Sequence, residues 1–385
     1  MAKTDEAASK AESPSEAVEE ELLKLQREGE ALFRRALLLK QPQDKELATK
    51  PVNSIVDAAM GVALAGECVW FSYFNLDISS WNDSLTVAFV ASMPVVLAAI
   101  ITIKKVARAI GGAISSSRWR TSNRVPKDCR NPLSSSIIMN KWEEQSWQLA
   151  VHISMATCGA YLLFYGGGGA GSEKWWSDPD TTLNPCPVPA AAGSPLTALR
   201  FFYIVQLNIW FVTAVSCKFI EERRKDYVEM MLHHIMTIAL VMESLHNGEL
   251  GIGLVILFIH DASDVVLDVM KMINYLKLEG PHGLYLTETA FVINTYVSWP
   301  YFRLYYFPFV VIPTPLLHHK HLCPGEEKLI ASMMLCLLFG LHCFWWCLMN
   351  RIAFKMVIGV SPNKAGEGEY EQTRKEDGDN RKKDE

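Results

Sequence analysis

Two short stretches of this sequence hold most of its candidate chemistry. His233 and His234 stand side by side in RRKDYVEMMLHHI, and His260, Asp261, Asp264 and Asp268 follow in IHDASDVVLD. Imidazole is the side chain best placed to act as base or nucleophile near neutral pH. A carboxylate bonded to its far ring nitrogen fixes the tautomer and stabilises the imidazolium. Asp261, Asp264 and Asp268 are spaced i, i+3, i+7 and so share one helix face, and His260 stands i, i+4 to Asp264. That set suits acyl transfer. A metal site is the rival reading. Adjacent histidines on a helix point about 100° apart, which makes His233 and His234 poor co-ligands for one ion. Membrane di-iron enzymes use several His-x-x-His-His boxes, and only a bare pair occurs here. No Cys-x-x-Cys indicates structural zinc either. No metal is expected.

The elements that must position these groups are membrane spans. The 385 residues are 50% hydrophobic and 21% charged, with a net charge of −5 and a mean hydropathy of +0.10. That average hides an uneven distribution. Of 79 charged residues, 34 lie in residues 1–50 and 361–385, which leaves 45 for the 310 between. So apolar a middle suits a polytopic membrane protein rather than a soluble domain. It excludes wholesale disorder, a disulfide scaffold and a basic nucleic-acid binder. A spanning helix needs about 20 apolar residues. The clearest is Ser84 to Ile103, which stops at Lys104-Lys105. Gln145 to Tyr165, Leu196 to Ile220, Leu284 to Ile312 and Leu329 to Ile352 also qualify. Met231 to His246 and Gly248 to Val269 form a pair joined at Asn247-Gly248. The weakest is Val52 to Phe74, which contains Asp57 and Glu67. The expected fold is therefore an all-α polytopic bundle of seven to eight transmembrane helices. The tight turn predicts that the paired spans are antiparallel neighbours. That would bring the histidines and aspartates to similar depths around a polar cavity open to the cytosol.

Loop charge sets orientation. Nine Lys and Arg follow Ile103, and Lys218, Arg223, Arg224 and Lys225 precede the histidine span, whereas the opposite loops hold only Lys174 and Lys320. Both termini and all basic loops are thus expected in the cytosol. The one Asn-x-Ser/Thr sequon, Asn82-Asp83-Ser84, falls in a predicted lumenal loop and is a candidate for glycosylation. Residues 1–50 show no signal peptide, so the first span is expected to direct insertion. Val18 to Leu39 reads either as a surface amphipathic helix or as a solvated charged one. Lys382-Lys383-Asp384-Glu385 resembles a dilysine retrieval signal and implies residence in the endoplasmic reticulum. Arg303 lies mid-span and needs an acidic partner, with Glu288 and Glu243 as candidates. His152 and His342 read as satisfied interior histidines, and His318, His319 and His321 as a lumenal surface cluster.

The stretch HHIMTIALVMESLHNGELGIGLVILFIHDASDVVLD resembles the longevity-assurance (Lag) motif of ceramide synthases, in the TLC-domain superfamily. The likeness extends upstream through RRKDYVEM and downstream through Trp299-x-x-x-Arg303 and FPFVVI, over about residues 140–352. It implies a TLC-type bundle in the endoplasmic reticulum membrane that N-acylates a sphingoid base with a fatty acyl-CoA, with acyl-CoA as co-substrate and no cofactor. Its histidine pair corresponds to His233 and His234, and its two aspartates to Asp261 and Asp264, with His260 and Asp268 in support. The family mechanism implies an acyl-imidazole on His233. Arg223, Arg224, Lys225, Trp299 and Arg303 are candidate substrate contacts, and Pro313 to Lys328 a determinant of acyl-chain length. Two departures are Asp268, where the family commonly has Glu, and the absence of an Arg within Gly248 to Gly251. No homeobox-like insert is visible. A homo- or heterodimer is compatible with the likeness.

The expected organisation is a charged segment 1–50, two spans with a basic loop over 51–139, a catalytic domain over 140–355 and a charged tail over 356–385. The alternatives are a non-enzymatic TLC-domain lipid sensor or trafficking factor, which would lack the histidine or aspartate pair, and a His-box hydroxylase or desaturase. Cys186 and Cys323 both fall in predicted lumenal loops, where disulfides form, and are expected to pair. Thiol labelling of denatured, unreduced protein should leave both unmodified; labelling of both contradicts the pairing.

Overall fold

The computed structural model describes residues 54–75, 84–116, 133, 136–164, 196–220, 226–247, 249–315 and 329–358. Asn82, Cys186, Cys323, Arg223, Arg224, Lys225, the His318–His321 cluster and both charged tails lie outside them. The described elements are α1 (Ser54–Asn75), α2 (Ser84–Ser115), α3 (Ser136–Phe164), α4 (Leu196–Phe219), α5 (Tyr227–Asn247), α6 (Leu250–Tyr275), a 3₁₀ turn (Pro281–Gly283), α7 (Leu286–Ile293), two π-helical segments (Asn294–Ser298 and Pro300–Val311) and α8 (Leu329–Val357). Among the described residues there is no strand.

Six helices are long and apolar enough to cross a membrane: Val87–Ser115, Ile138–Phe164, Ala198–Phe219, Tyr227–Asn247, Leu250–Tyr275 and Leu329–Val357. The molecule is an all-α polytopic membrane protein. Helix α1, which carries Asp57 and Glu67, and the run from α7 through the π segments are helical but not among the six. Helix α2 does not end at Lys104 but continues to Ser115. Lys and Arg are good helix formers whose stems lie along apolar surface, so they mark the end of the apolar layer without ending the helix. Its charged extension docks on the start of α3. There the Trp142 indole donates to Ala107 O (3.0 Å), and Arg108 pairs with Glu143.

Packing pairs arrange the helices as a ring in the order α2, α3, α6, π segment, α8, α5, α4 and back to α2, with α1 against α5. Connectivity alone misjudges one pair. The histidine and aspartate helices, α5 and α6, follow each other directly in sequence, yet they touch less than either touches its neighbours in the ring. Each is claimed instead by other helices, α5 by α4 and α8, and α6 by α3 and the π segment. The two chemistry-bearing faces therefore look toward one interior rather than zipping together. Helix α1 is tied to its neighbours at one end, where Asp57 accepts from Lys218 Nζ (3.1 Å) and Tyr227 Oη (2.7 Å). Asp57, which weakens this segment as a span, is thus satisfied where helices meet.

The tight α5–α6 turn is held by Ser244, whose hydroxyl donates to Glu249 O (2.7 Å). Tyr203 from α4 donates to Leu250 O (2.9 Å) and lies 3.0 Å from the Ser244 hydroxyl. This plug needs Gly253, because a Cβ there would stand 2.0 Å from Tyr203 Oη and 2.6 Å from Ser244 Oγ. Gly253→Ala should therefore destabilise the protein by about 1–3 kcal/mol through overpacking. Combination with Tyr203→Phe should recover part of the loss. Thermal unfolding of the single and double variants in detergent checks this; an unchanged midpoint for Gly253→Ala contradicts it.

Candidate functional site

Three carboxylates project from one face of α6, and each is held by a different helix. Asp261 accepts from Gln206 Nε2 on α4 (2.7 Å). Asp264 accepts from Arg303 Nη2 on the π segment (2.7 Å). Asp268 is bonded to His152 Nδ1 (2.6 Å) and to Gln145 Nε2, both on α3. Asp261 and Asp268 are only 3% and 2% exposed. A buried carboxylate without such partners would be strongly destabilising.

Arg303 is the most connected of these groups. Besides Asp264, its Nε donates to Ser263 Oγ (2.7 Å) and its Nη2 to His260 O (3.2 Å), while Nη1 lies 3.0 Å from His342 Nε2. The guanidinium also lies over the Trp299 ring, 5.0 Å from its centroid, within cation–π range. Trp299 in turn donates to His342 O (3.2 Å). The π-helical winding of Pro300–Val311 goes with Pro300 and Pro308, which have no N–H to give to a regular ladder. Ile312 N bonds to Phe307 O, the i to i−5 pattern of this winding (3.0 Å). The expected partners of Arg303 are corrected: Glu288 accepts from Gly280 N–H (2.8 Å), and Glu243 accepts from Asn247 Nδ2 (3.2 Å). Arg303 is 2% exposed and faces α6 rather than either glutamate. His260 does not use its i, i+4 relation to Asp264. Its Nδ1 donates to Ile256 O (2.7 Å), and its Nε2 lies 3.1 Å from His342 Nε2.

The adjacent histidines sit in an aromatic clamp. Trp210 of α4 meets both rings edge-on, with centroids 5.6 Å from His233 and 5.5 Å from His234. Trp345 of α8 meets His233 from another side at 5.6 Å. The Trp345 indole donates to Asp226 just before α5, which fixes the clamp to the helix it encloses (3.1 Å). His233 Nδ1 is enclosed and has no hydrogen-bond partner among the described residues. The expected direct pairing of His233 with Asp261 or Asp264 is not present; both aspartates are committed to Gln206 and Arg303. The link is indirect: Trp345 meets Trp299, and Trp299 meets His342.

Beginning one helical turn beyond His233, a mainly apolar cavity of about 60 Å³ runs between α4, α5, α6 and α8. Thr237, Trp210 and His260 stand among its walls, and Tyr203, Ser244 and Glu249 belong to the opposite end of the helices. Pro315, at the start of the expected chain-length loop, also lines it. Among the described residues no group of three or more His, Cys, Asp or Glu side chains could hold a metal ion.

The structure links His233, Trp299, Arg303, His260 and Asp264 through ring contacts and hydrogen bonds, with His234 beside His233. Asp261 and Asp268 share the α6 face but are bonded to other helices. Only His260 of the expected groups lines the cavity, and Arg223, Arg224 and Lys225 lie outside the described residues. Sequence reasoning missed Gln145, Gln206, Trp210, Ser263 and Trp345. The two glutamines gave a signal, since an amide inside an apolar span needs a partner; the tryptophans gave none.

A family model described as the TLC domain matches residues 141–351. Among curated proteins, the chain is 32% identical over 187 residues to ASC1-like protein 3 of Oryza sativa subsp. japonica, covering 47% of this chain and 62% of that protein. It is 30% identical over 188 residues to ceramide synthase LOH2 of Arabidopsis thaliana, covering 47% and 60%. It is 27% identical over 241 residues to human ceramide synthase 5, covering 62% and 57%. The chain thus spans about three-fifths of the length of these relatives.

Removing Asp264 would leave Arg303 buried with only neutral partners, without its carboxylate. Asp264→Ala should cost about 3–5 kcal/mol of stability, as expected when one partner of a buried pair is lost. Chemical denaturation in detergent measures this; a loss below about 1 kcal/mol contradicts the pairing.

Proposed function

Because this chain belongs to the TLC-domain family, we propose that it is a ceramide synthase of the endoplasmic reticulum membrane. In this reading it joins a fatty acyl-CoA to the amine of a sphingoid base, giving an N-acylated base and CoA, with both termini in the cytosol. The observation that carries the reading is the buried pair His233-His234, with Trp210 against both rings and Trp345 against His233, one helical turn from the start of an apolar cavity. Named ceramide synthases among the relatives support the substrate class.

The chemistry follows from those positions. Acyl-CoA arrives at the basic end, where Arg223, Arg224 and Lys225 are placed by sequence to meet its phosphates. Its acyl chain follows the apolar cavity beyond His233, whose walls must part to take a full chain. A ring nitrogen of His233 attacks the thioester carbonyl; the C–S bond breaks, and the thiolate leaves as the thiol with the imidazole proton. The base amine then attacks the acyl-imidazole. A C–N bond forms, the bond to the ring breaks, and His233 regains a proton. Clamping by the two tryptophans holds the ring in one orientation and keeps water from the acyl-imidazole. Asp264, Arg303 and His342 are already bonded to one another, and Asp261 is held by Gln206, so little reorganisation of these groups is needed as charge develops.

His233→Ala should lower N-acylation by at least about 10⁴-fold, as expected for loss of a nucleophile, while the protein still partitions into the membrane. His234→Ala should retain measurable product. Mass spectrometry of product from matched membrane fractions reads both; wild-type rates in His233→Ala overturn the assignment.

A further inference from the structure

Resting on that reading, we infer that the indole N–H of Trp210 and the hydroxyl of Thr237 are the two donors that hold the substrate's acyl oxygen while it carries negative charge. Attack on the thioester by His233 moves the carbonyl π pair onto that oxygen. Collapse returns the pair and expels the thiolate. Attack of the amine on the acyl-imidazole raises the same oxyanion again, and its collapse frees the ring. Each passage needs donors already in place, in a site closed to water. These donors give hydrogen bonds and lose no proton, so the balance of bonds and protons in the reaction stands unaltered.

Few groups near His233 have a donor to offer. Backbone N–H groups form many oxyanion sites, but His233 lies beyond the first turn of α5, where the helix uses them itself. Arg303 is committed to Ser263, His260, His342 and Asp264. Of the indoles around the histidine pair, Trp345 donates to Asp226 and Trp299 to His342 O. Trp210 differs. Its ring meets both histidines, yet its Nε1 is enclosed and has no hydrogen-bond partner among the described residues.

Thr237 is the second such group. It stands at i+4 to His233, on the same face of α5, where side chains are about 5–6 Å apart. A threonine inside a helix commonly returns its hydroxyl to the carbonyl four residues earlier. Thr102, Thr157 and Thr213 do so in this protein, at 2.7, 2.7 and 2.8 Å. Thr237 does not bond to His233 O in this way: its Oγ1 is buried and without a hydrogen-bond partner among the described residues. Both residues line the apolar cavity, Trp210 from α4 and Thr237 from α5. A buried donor left unbonded is destabilising. Two of them beside the nucleophile are satisfied when the oxygen of an acyl thioester arrives along the parting walls.

The test uses the full chain in detergent. Thr237→Val keeps the shape of the side chain and removes the hydroxyl, Thr237→Ser keeps the hydroxyl, and Trp210→Phe keeps a ring without the N–H. Thr237→Val and Trp210→Phe should each lower kcat by about 10²–10³-fold, as expected for one oxyanion donor, with KM for acyl-CoA unchanged. CoA release in a single turnover without base should fall by the same factor, because the first half-reaction passes through the same oxyanion. Thr237→Ser should retain the wild-type kcat. Thr237→Val should unfold at the wild-type temperature or above it, since it deletes an unbonded buried hydroxyl. A loss confined to KM, a wild-type kcat in Thr237→Val or Trp210→Phe, equal losses in Thr237→Ser and Thr237→Val, or a lower unfolding midpoint for Thr237→Val overturns the proposal. Failure of the wild-type chain to N-acylate any base is the separate failure of the ceramide synthase reading, and the unfolding measurement is read without it.

Discussion

A carboxylate in the apolar layer of a membrane must be bonded, and α6 carries three within two turns. The rest of the structure follows from how they are satisfied. Asp261 takes an amide from α4, Asp264 a guanidinium from the π segment, and Asp268 an imidazole and an amide from α3. One helix thereby fixes the inward faces of three others. The Asp264–Arg303 pair is the centre of this arrangement, since Arg303 also reaches Ser263, His260 and His342. Its π-helical backbone supplies the wide turn on which that side chain is carried.

The same constraint explains why the histidine pair is left to the substrate. Every aspartate on α6 is committed elsewhere, so His233 is packed against tryptophan rings and not bonded to a carboxylate. A buried imidazole near an apolar cavity, with its Nδ1 unbonded among the described residues, is suited to accept an acyl group. By sequence, Lys and Arg gather in the loops of one face, while each carboxylate of the α6 face is bonded to Gln206, Arg303, His152 or Gln145.

Much of the fold was legible from composition and periodicity. Span positions, the α5–α6 turn and the shared face of Asp261, Asp264 and Asp268 follow from runs of apolar residues and from helical spacing. What could not be read was which helices meet. The turn at Asn247-Gly248 makes α5 and α6 consecutive, but the bonds made by the aspartates draw α6 to other partners. Arg303 illustrates the same limit: glutamates on nearby spans looked eligible, whereas a residue about forty positions away in sequence holds it. His152 was read as an interior histidine with its needs met, and its Nδ1 is bonded to Asp268. Trp210 and Trp345 carried no local signal, because an aromatic residue in a span is ordinary whichever way it faces.

The central claim is that this interior performs N-acylation. Detergent-purified protein should be incubated with a long-chain base and acyl-CoAs of varied length, and the lipids identified by mass spectrometry. The account predicts N-acylated base and one CoA released per amide, with a restricted range of chain lengths set by the cavity beyond His233. Absence of any N-acylated product across the whole acyl-CoA series, from protein that remains folded, would contradict it.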